Sequence, residues 1–204
     1  PLMADAYVEK AQVFSSRKQW SNAEADLQAA VDAGARTPLV YVRLSRAQLN
    51  QGEYMAAIDN AIEGSAGDPT LLEGYLAVGA AYVELDHFND ALWPLTTYVE
   101  YAPNDYGGWT YLGRAQLGAG YVDEAGSSID RALELNDHYA PAFLARGFYD
   151  LARQDGRTAL SDFKQARRYG PEGYDLWYGM GKAAFQMGQL TEALGYLNDG
   201  LALA

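Results

Sequence analysis

Aromatic side chains return at a fixed interval of 34 residues along this chain of 204. Windows beginning at Ala4, Pro38, Leu72, Tyr106, Ala140 and Tyr174 place Tyr7, Tyr41, Tyr75, Trp109, Phe143 and Trp177 at the fourth position, with no insertion or deletion. The twentieth position is alanine in every window: Ala23, Ala57, Ala91, Ala125, Ala159 and Ala193. The eighth is always small: Ala11, Ser45, Gly79, Gly113, Gly147 and Gly181. Such a period constrains the fold more than any single element does. One unit cannot bury its own apolar face and must stack on copies of itself.

Each window reads as two helices. The fourth, seventh, eighth and eleventh positions share one face of the first, and the twentieth, twenty-fourth and twenty-seventh share one face of the second. Small residues at positions eight and twenty let the two backbones approach closely, while the aromatic fills the space beside them. Gly52, Gly120 and Gly188 stand where the first helix must stop. Ser21, Asn89, Asp123 and Thr191 are expected to cap the second helices, and Asp90, Glu124 and Glu192 follow at the positive end of the helix dipole. Pro69, Pro103 and Pro171 close three of the windows.

These residues resemble the tetratricopeptide repeat family, over residues 4–204. The resemblance implies an all-α fold, a right-handed superhelical solenoid of antiparallel helix pairs forming a single solenoid over residues 1–204. Its repeats are 4–37, 38–71, 72–105, 106–139, 140–173 and 174–204. The final window stops three residues short at Ala204, and Leu194, Leu197, Leu201 and Leu203 are followed by no polar capping helix. The chain therefore reads as an excerpt of a longer array, with Pro1-Leu2-Met3 outside the pattern.

Charge narrows the partners. The net charge of −12 opposes nucleic-acid backbones and anionic membrane surfaces, which select clustered Lys and Arg. No apolar run approaches the roughly 18–20 residues that span a bilayer, so direct membrane insertion is not expected. With no cysteine, disulfides and thiolate sites are excluded, and cytoplasmic and exported settings suit the chain equally. The third repeat holds six acids and no Lys or Arg, whereas the fifth holds six bases against four acids.

Catalytic chemistry has few candidates. His87 and His138 lack metal-ligand spacing. Gly113, Gly118 and Gly120 have neither the preceding strand nor the following Lys-Ser or Lys-Thr of a phosphate loop. The pairs Asp123 with Glu124 and Asp86 with Asp90 offer no calcium-type loop. No cofactor and no metal is expected, and the chain reads as non-enzymatic.

Four departures stand out. Trp93-Pro94 lies inside the second helix of the third repeat, with Tyr98 where a small residue is expected, which predicts a bend or a wider gap to the fourth repeat. Lys10 and Arg146 occupy the seventh position, and Asp150 the eleventh. Arg146 and Asp150, four apart, are expected to pair. Gly156 stands where Trp20, Tyr54 and Phe88 stand in the first three repeats.

In the family, partners lie along the inner face built from the first helices. Its register implies Leu76, Val83, Glu84, His87, Arg114, Leu117, Tyr121, Leu144, Phe148, Leu151, Tyr178, Lys182 and Phe185 as a partner-binding concave groove. This apolar list suits a peptide or amphipathic helix of a partner protein, with Arg114 and Lys182 as anchors. The sixth positions, Glu9, Arg43, Ala77, Tyr111, Ala145 and Gly179, include no Asn, which argues against the family's carboxylate clamp and its asparagine ladder. The remaining likeness is to bacterial assembly and secretion scaffolds. Two alternatives stand beside a scaffold: a targeting arm of a larger enzyme, or self-association through the uncapped last helix or between the acidic third and basic fifth repeats.

Overall fold

A computed structural model describes residues 2–203. Pro1 and Ala204, the ends of the repeat reading above, lie outside the described residues. Twelve helices follow one another among the described residues: α1 (Leu2–Ser16), α2 (Trp20–Asp32), α3 (Pro38–Leu49), α4 (Tyr54–Gly67), α5 (Leu72–Glu84), α6 (Phe88–Tyr101), α7 (Tyr106–Gly118), α8 (Val122–Leu135), α9 (Ala140–Ala152), α10 (Gly156–Tyr169), α11 (Tyr174–Gln186) and α12 (Leu190–Leu201). They pack as six antiparallel pairs, one per window, so the fold is an all-α solenoid of helical hairpins. None of these helices is long and apolar enough to cross a membrane. The chain divides after Pro103 into two compact units, the first holding α1 to α6 and the second α7 to α12.

The pairing rule is a volume match between positions eight and twenty-four. A Cβ on Gly79 would stand 2.4 Å from Leu95, one on Gly113 2.5 Å from Ile129, one on Gly147 2.5 Å from Phe163, and one on Gly181 2.7 Å from Leu197. In the second hairpin, where position eight is Ser45, position twenty-four is Ala61, while the first hairpin sets Ala11 opposite Leu27. The four hairpins with glycine at position eight thus each keep one close backbone approach and one large side chain filling it. Gly156 belongs to the same logic one level up. A Cβ there would meet the Ala183 carbonyl at 2.7 Å, so glycine lets the α11 backbone press against the start of α10.

The turn inside each hairpin is also periodic. The fifteenth position has positive φ in all six repeats: Lys18 (57°), Gly52 (80°), Asp86 (58°), Gly120 (89°), Gln154 (63°) and Gly188 (74°). Three of these positions hold side chains in a conformation that disfavours them. Gln154→Gly should therefore stabilise the chain by about 0.5–1 kcal/mol, the strain relief outweighing the added entropy of the unfolded chain. A lower denaturation midpoint in urea would count against this.

The expected caps are corrected. Ser21, Asn89, Asp123 and Thr191 each lie at the second residue of their helix, and α2, α6, α8 and α12 have no side-chain cap. Backbone closure replaces it. The carbonyls of Gln19, His87, Tyr121 and Gln189 accept from the N–H groups of the position-twenty alanines. Side-chain caps occur at Thr37, Asp105 and Asp155, which open α3, α7 and α10. The dipole expectation holds, with Asp90, Glu124 and Glu192 in first turns. Helix α6 runs unbroken through the buried Pro94, and Tyr98 is 6% exposed.

The ion pairs differ from expectation. Arg146 does not pair with Asp150 along its helix. It reaches across the hairpin to Asp162, donating Nε at 2.7 Å and a terminal nitrogen at 2.9 Å. Lys10 does the same to Asp26 at 2.9 Å. Positions seven and twenty-three face each other across the hairpin, so a cation at one takes an aspartate at the other.

Candidate functional site

The thirteen expected groove residues are not all surface residues. Val83 is 1% exposed and Leu151 4%, so neither offers a surface. In the fifth hairpin position twelve packs: Leu151 sits in one cluster with Ala183 of the next hairpin. Leu144 and Phe148 are half-buried against that cluster, Phe148 lying 5.3 Å edge-on to Phe163. Leu76, Glu84 and Leu117 are also half-buried. His87 and Tyr121 stand at the turns leading into α6 and α8, the His87 ring stacked on Tyr82. Arg114 lies 5.5 Å from the Tyr111 ring.

Three of the thirteen do converge. Tyr178, Lys182 and Phe185 on α11 line a cleft of about 640 Å³ with Leu190, Leu194 and Leu197 of α12. Phe185 is 66% exposed and Leu194 62%. Lys182 lies over the Tyr178 ring at 5.3 Å, leaving the cleft apolar with one cation at its edge. The register of this face explains its character. Its members repeat, 34 residues on, the positions of Leu144, Phe148, Leu151, Gly156, Leu160 and Phe163. That earlier face is covered by α11, whose Gly179 and Ala183 press against Phe163 and Gly156.

A second cleft, of about 220 Å³, lies on the first-helix face of the amino-terminal unit. Gln12, Leu39, Val42, Arg43, Arg46 and Glu73 line it. Arg46 lies 5.8 Å from the Trp20 ring. The expected list omitted both arginines, because it was confined to the third to sixth repeats. Their signal was legible: two cations at groove positions six and nine of a strongly acidic chain.

Titratable chemistry does not assemble at either cleft. Asp150 is the most perturbed carboxyl, pushed up to about 6 by burial and by the neighbouring Asp162, but it lies inside the fifth hairpin. Among the described residues no group of three or more His, Asp or Glu side chains is placed to hold a metal ion. His138 instead packs on Tyr169, with ring centres 4.6 Å apart.

Stacked hairpins with small residues at both crossing positions define a class, the helical-hairpin repeat proteins whose surfaces serve protein–protein interaction. Within that class the chain is similar to tetratricopeptide repeat proteins. Residues 140–204 match the family model described as tetratricopeptide repeat. Protein bimA of Emericella nidulans is 25% identical over 167 residues, covering 77% of this chain. The chain spans about one-fifth of that relative's length, 20%. Among solved structures, the thermophilic repeat protein TTC0263 of Thermus thermophilus is 24% identical with a TM-score of 0.69, over 82% of this chain and 92% of that one. A tetratricopeptide repeat protein of Parabacteroides merdae matches all of this chain and 81% of its own, with a TM-score of 0.73 and 19% identity.

Proposed function

We propose that the chain is a protein-binding scaffold that takes an amphipathic helix of a partner on the α11–α12 face. One observation carries the reading: the equivalent face of the fifth hairpin is occupied by a helix, α11, with small residues at its crossing points. A partner helix of the same kind would cover Tyr178, Phe185, Leu190, Leu194 and Leu197. An apolar helix in an apolar groove is held mainly by area removed from water. Lys182 at the rim favours an acidic residue beside the helix's apolar stripe.

The test uses a helix the molecule already packs. A synthetic peptide spanning residues 172–189 should bind the intact chain saturably. Phe185→Asp with Leu194→Asp should weaken it roughly a hundredfold, each charge costing about 1–2 kcal/mol at the contact. Both side chains are exposed, so the fold should be unaffected by circular dichroism. Equal affinity for the variant and the parent chain would overturn the reading.

The arginine-lined cleft supports a second contact. Arg43 and Arg46 form no ion pair within 4 Å among the described residues, which suits an acidic partner segment crossing the first-helix face.

A further inference from the structure

The outer seam of the third hairpin differs from the same seam in its neighbours. In the first and fifth hairpins a cation at position seven closes it. Lys10 lies 5.3 Å from the Phe14 ring and bonds Asp26, and Arg146 lies 5.2 Å from the Phe143 ring and bonds Asp162. In the second and fourth, positions eleven and twenty-three close it with a hydrogen bond. Asn60 donates to Gln48 at 2.9 Å, and Ser128 donates to Gln116 at 2.7 Å. In the third hairpin these positions are Val78, Tyr82 and Pro94, which can do neither. The seam there is open as a groove of about 450 Å³, lined by Tyr75, Val78, Tyr82, Asp90, Trp93 and Pro94 of that hairpin.

The neighbouring helix α4 adds to the opening. Position twenty-eight of a hairpin stands beside the aromatic of the next: Arg167 lies 4.8 Å from the Trp177 ring. The corresponding residue facing Tyr75 is Ser65, which lines the groove with a buried hydroxyl that has no hydrogen-bond partner. The aromatic wall is therefore bare. Trp93 is 69% exposed and meets Tyr75 edge-on at 5.7 Å.

What the groove lacks is a cation. Among the described residues eight Lys or Arg side chains lie over aromatic rings, at 4.8–5.8 Å, and none of those rings is Tyr75, Tyr82 or Trp93. None is near in sequence either: from Ala47 to Gly113 the chain has ten acids and no Lys or Arg. Acceptors are present. The Asp90 carboxylate lines the groove, 3.7 Å from His87 at the rim. Pro94 has no N–H, so the Asp90 carbonyl loses its helical donor.

We infer that the groove between α4, α5 and α6 is a recognition site for an arginine side chain of a partner protein. The guanidinium lies over Tyr75 and Trp93, as Arg146 and Arg167 lie over their rings, and donates to Asp90. Arginine suits the site better than lysine because its planar group stacks and hydrogen-bonds at once. This site is independent of the α11–α12 face.

The probe is the acetylated, amidated tripeptide Ala-Arg-Ala, titrated into the chain while the indole N–H resonances of its four tryptophans are followed by NMR. The Trp93 signal, assigned by its loss in Trp93→Leu, should shift saturably. The citrulline tripeptide, equal in shape but neutral, should bind roughly tenfold more weakly, as should the arginine peptide to Asp90→Asn. Ser65→Arg should fill the site from within, as Arg167 does, and abolish the shift. If Ser65→Arg fails to fold, Asp90→Asn on the exposed rim still decides. Equal binding of the citrulline peptide, undiminished binding to Asp90→Asn, or no shift at Trp93 would each overturn the assignment.

Discussion

Phe163→Ala is expected to destabilise the chain by about 3–5 kcal/mol, the range for removing a fully buried aromatic ring. Phe163 is 0% exposed and fills the space left by two glycines, Gly147 in its own hairpin and Gly179 in the next. Removing the ring empties the crossing point within the fifth hairpin and the contact of α10 with α11 together. The volume match makes a sharper statement. Gly147→Ala alone should cost about 1–3 kcal/mol, since its Cβ would stand 2.5 Å from a ring that cannot retreat past Gly179. In the Phe163→Ala background the same change should stabilise by up to about 1 kcal/mol, because the space is open and alanine favours the helix. The second hairpin already uses that solution, with Ser45 opposite Ala61. Urea denaturation of the four chains closes the cycle. Additive effects would reject the volume match as the pairing rule.

The hairpins were legible in the sequence because their determinants are steric and repeat in register. The aromatic at position four, the small residue at eight and the alanine at twenty each report a contact that every window must make. The left-handed turn at position fifteen was only half legible. Gly52, Gly120 and Gly188 announce it, but Lys18, Asp86 and Gln154 take the same φ under the constraint of helices packed on either side. The capping error has a similar cause. A serine or aspartate near a helix start looks the same in sequence whether it precedes the helix or sits one residue inside it, and here the backbone closes the turn.

The groove residues were less legible, for a physical reason. A first helix presents one face to its partner helix, one to the next hairpin and one to solvent, and Leu serves on the last two alike. Leu151 and Phe185 share position twelve, yet α11 buries the first, while the second is 66% exposed. Composition cannot separate them; only the presence of a covering helix does. The Trp93-Pro94 departure was visible in the sequence as a break in pattern. Its consequence, an open seam of aromatic rings, depends on Ser65 of the preceding hairpin, on another helix.

Arg146→Met should destabilise the chain at neutral pH by about 3 kcal/mol, and by less at pH 5. Breaking a buried pair by deleting one partner costs about 3–5 kcal/mol, and the lower end applies because the Arg146 side chain is 31% exposed. The residue left behind makes the pH dependence specific. Without the guanidinium, Asp162 and Asp150 face each other, both less than a tenth exposed, with no cation between them. Burial first, and then the Asp162 charge, already raise Asp150 to about 6, against an ordinary value of 3.8, while Arg146 pulls the other way. A carboxyl raised on folding gives stability that is fully present below its unfolded pKa and is lost as pH rises through its folded one. In the parent chain Asp150 therefore contributes a fall in stability between about pH 4 and 6 and a plateau above. In Arg146→Met the opposing pull is gone, so the fall should extend above pH 6, while at pH 5 the two carboxyls share a proton and the loss is partly relieved. Adding Asp150→Asn should remove that slope and recover part of the stability at pH 7. The measurement is urea midpoint against pH for the parent chain, the single variant and the double variant. A deficit in Arg146→Met that is the same at pH 5 and pH 8 would mean that Arg146 acts through its packing on Phe143 and not through the charge of the two aspartates.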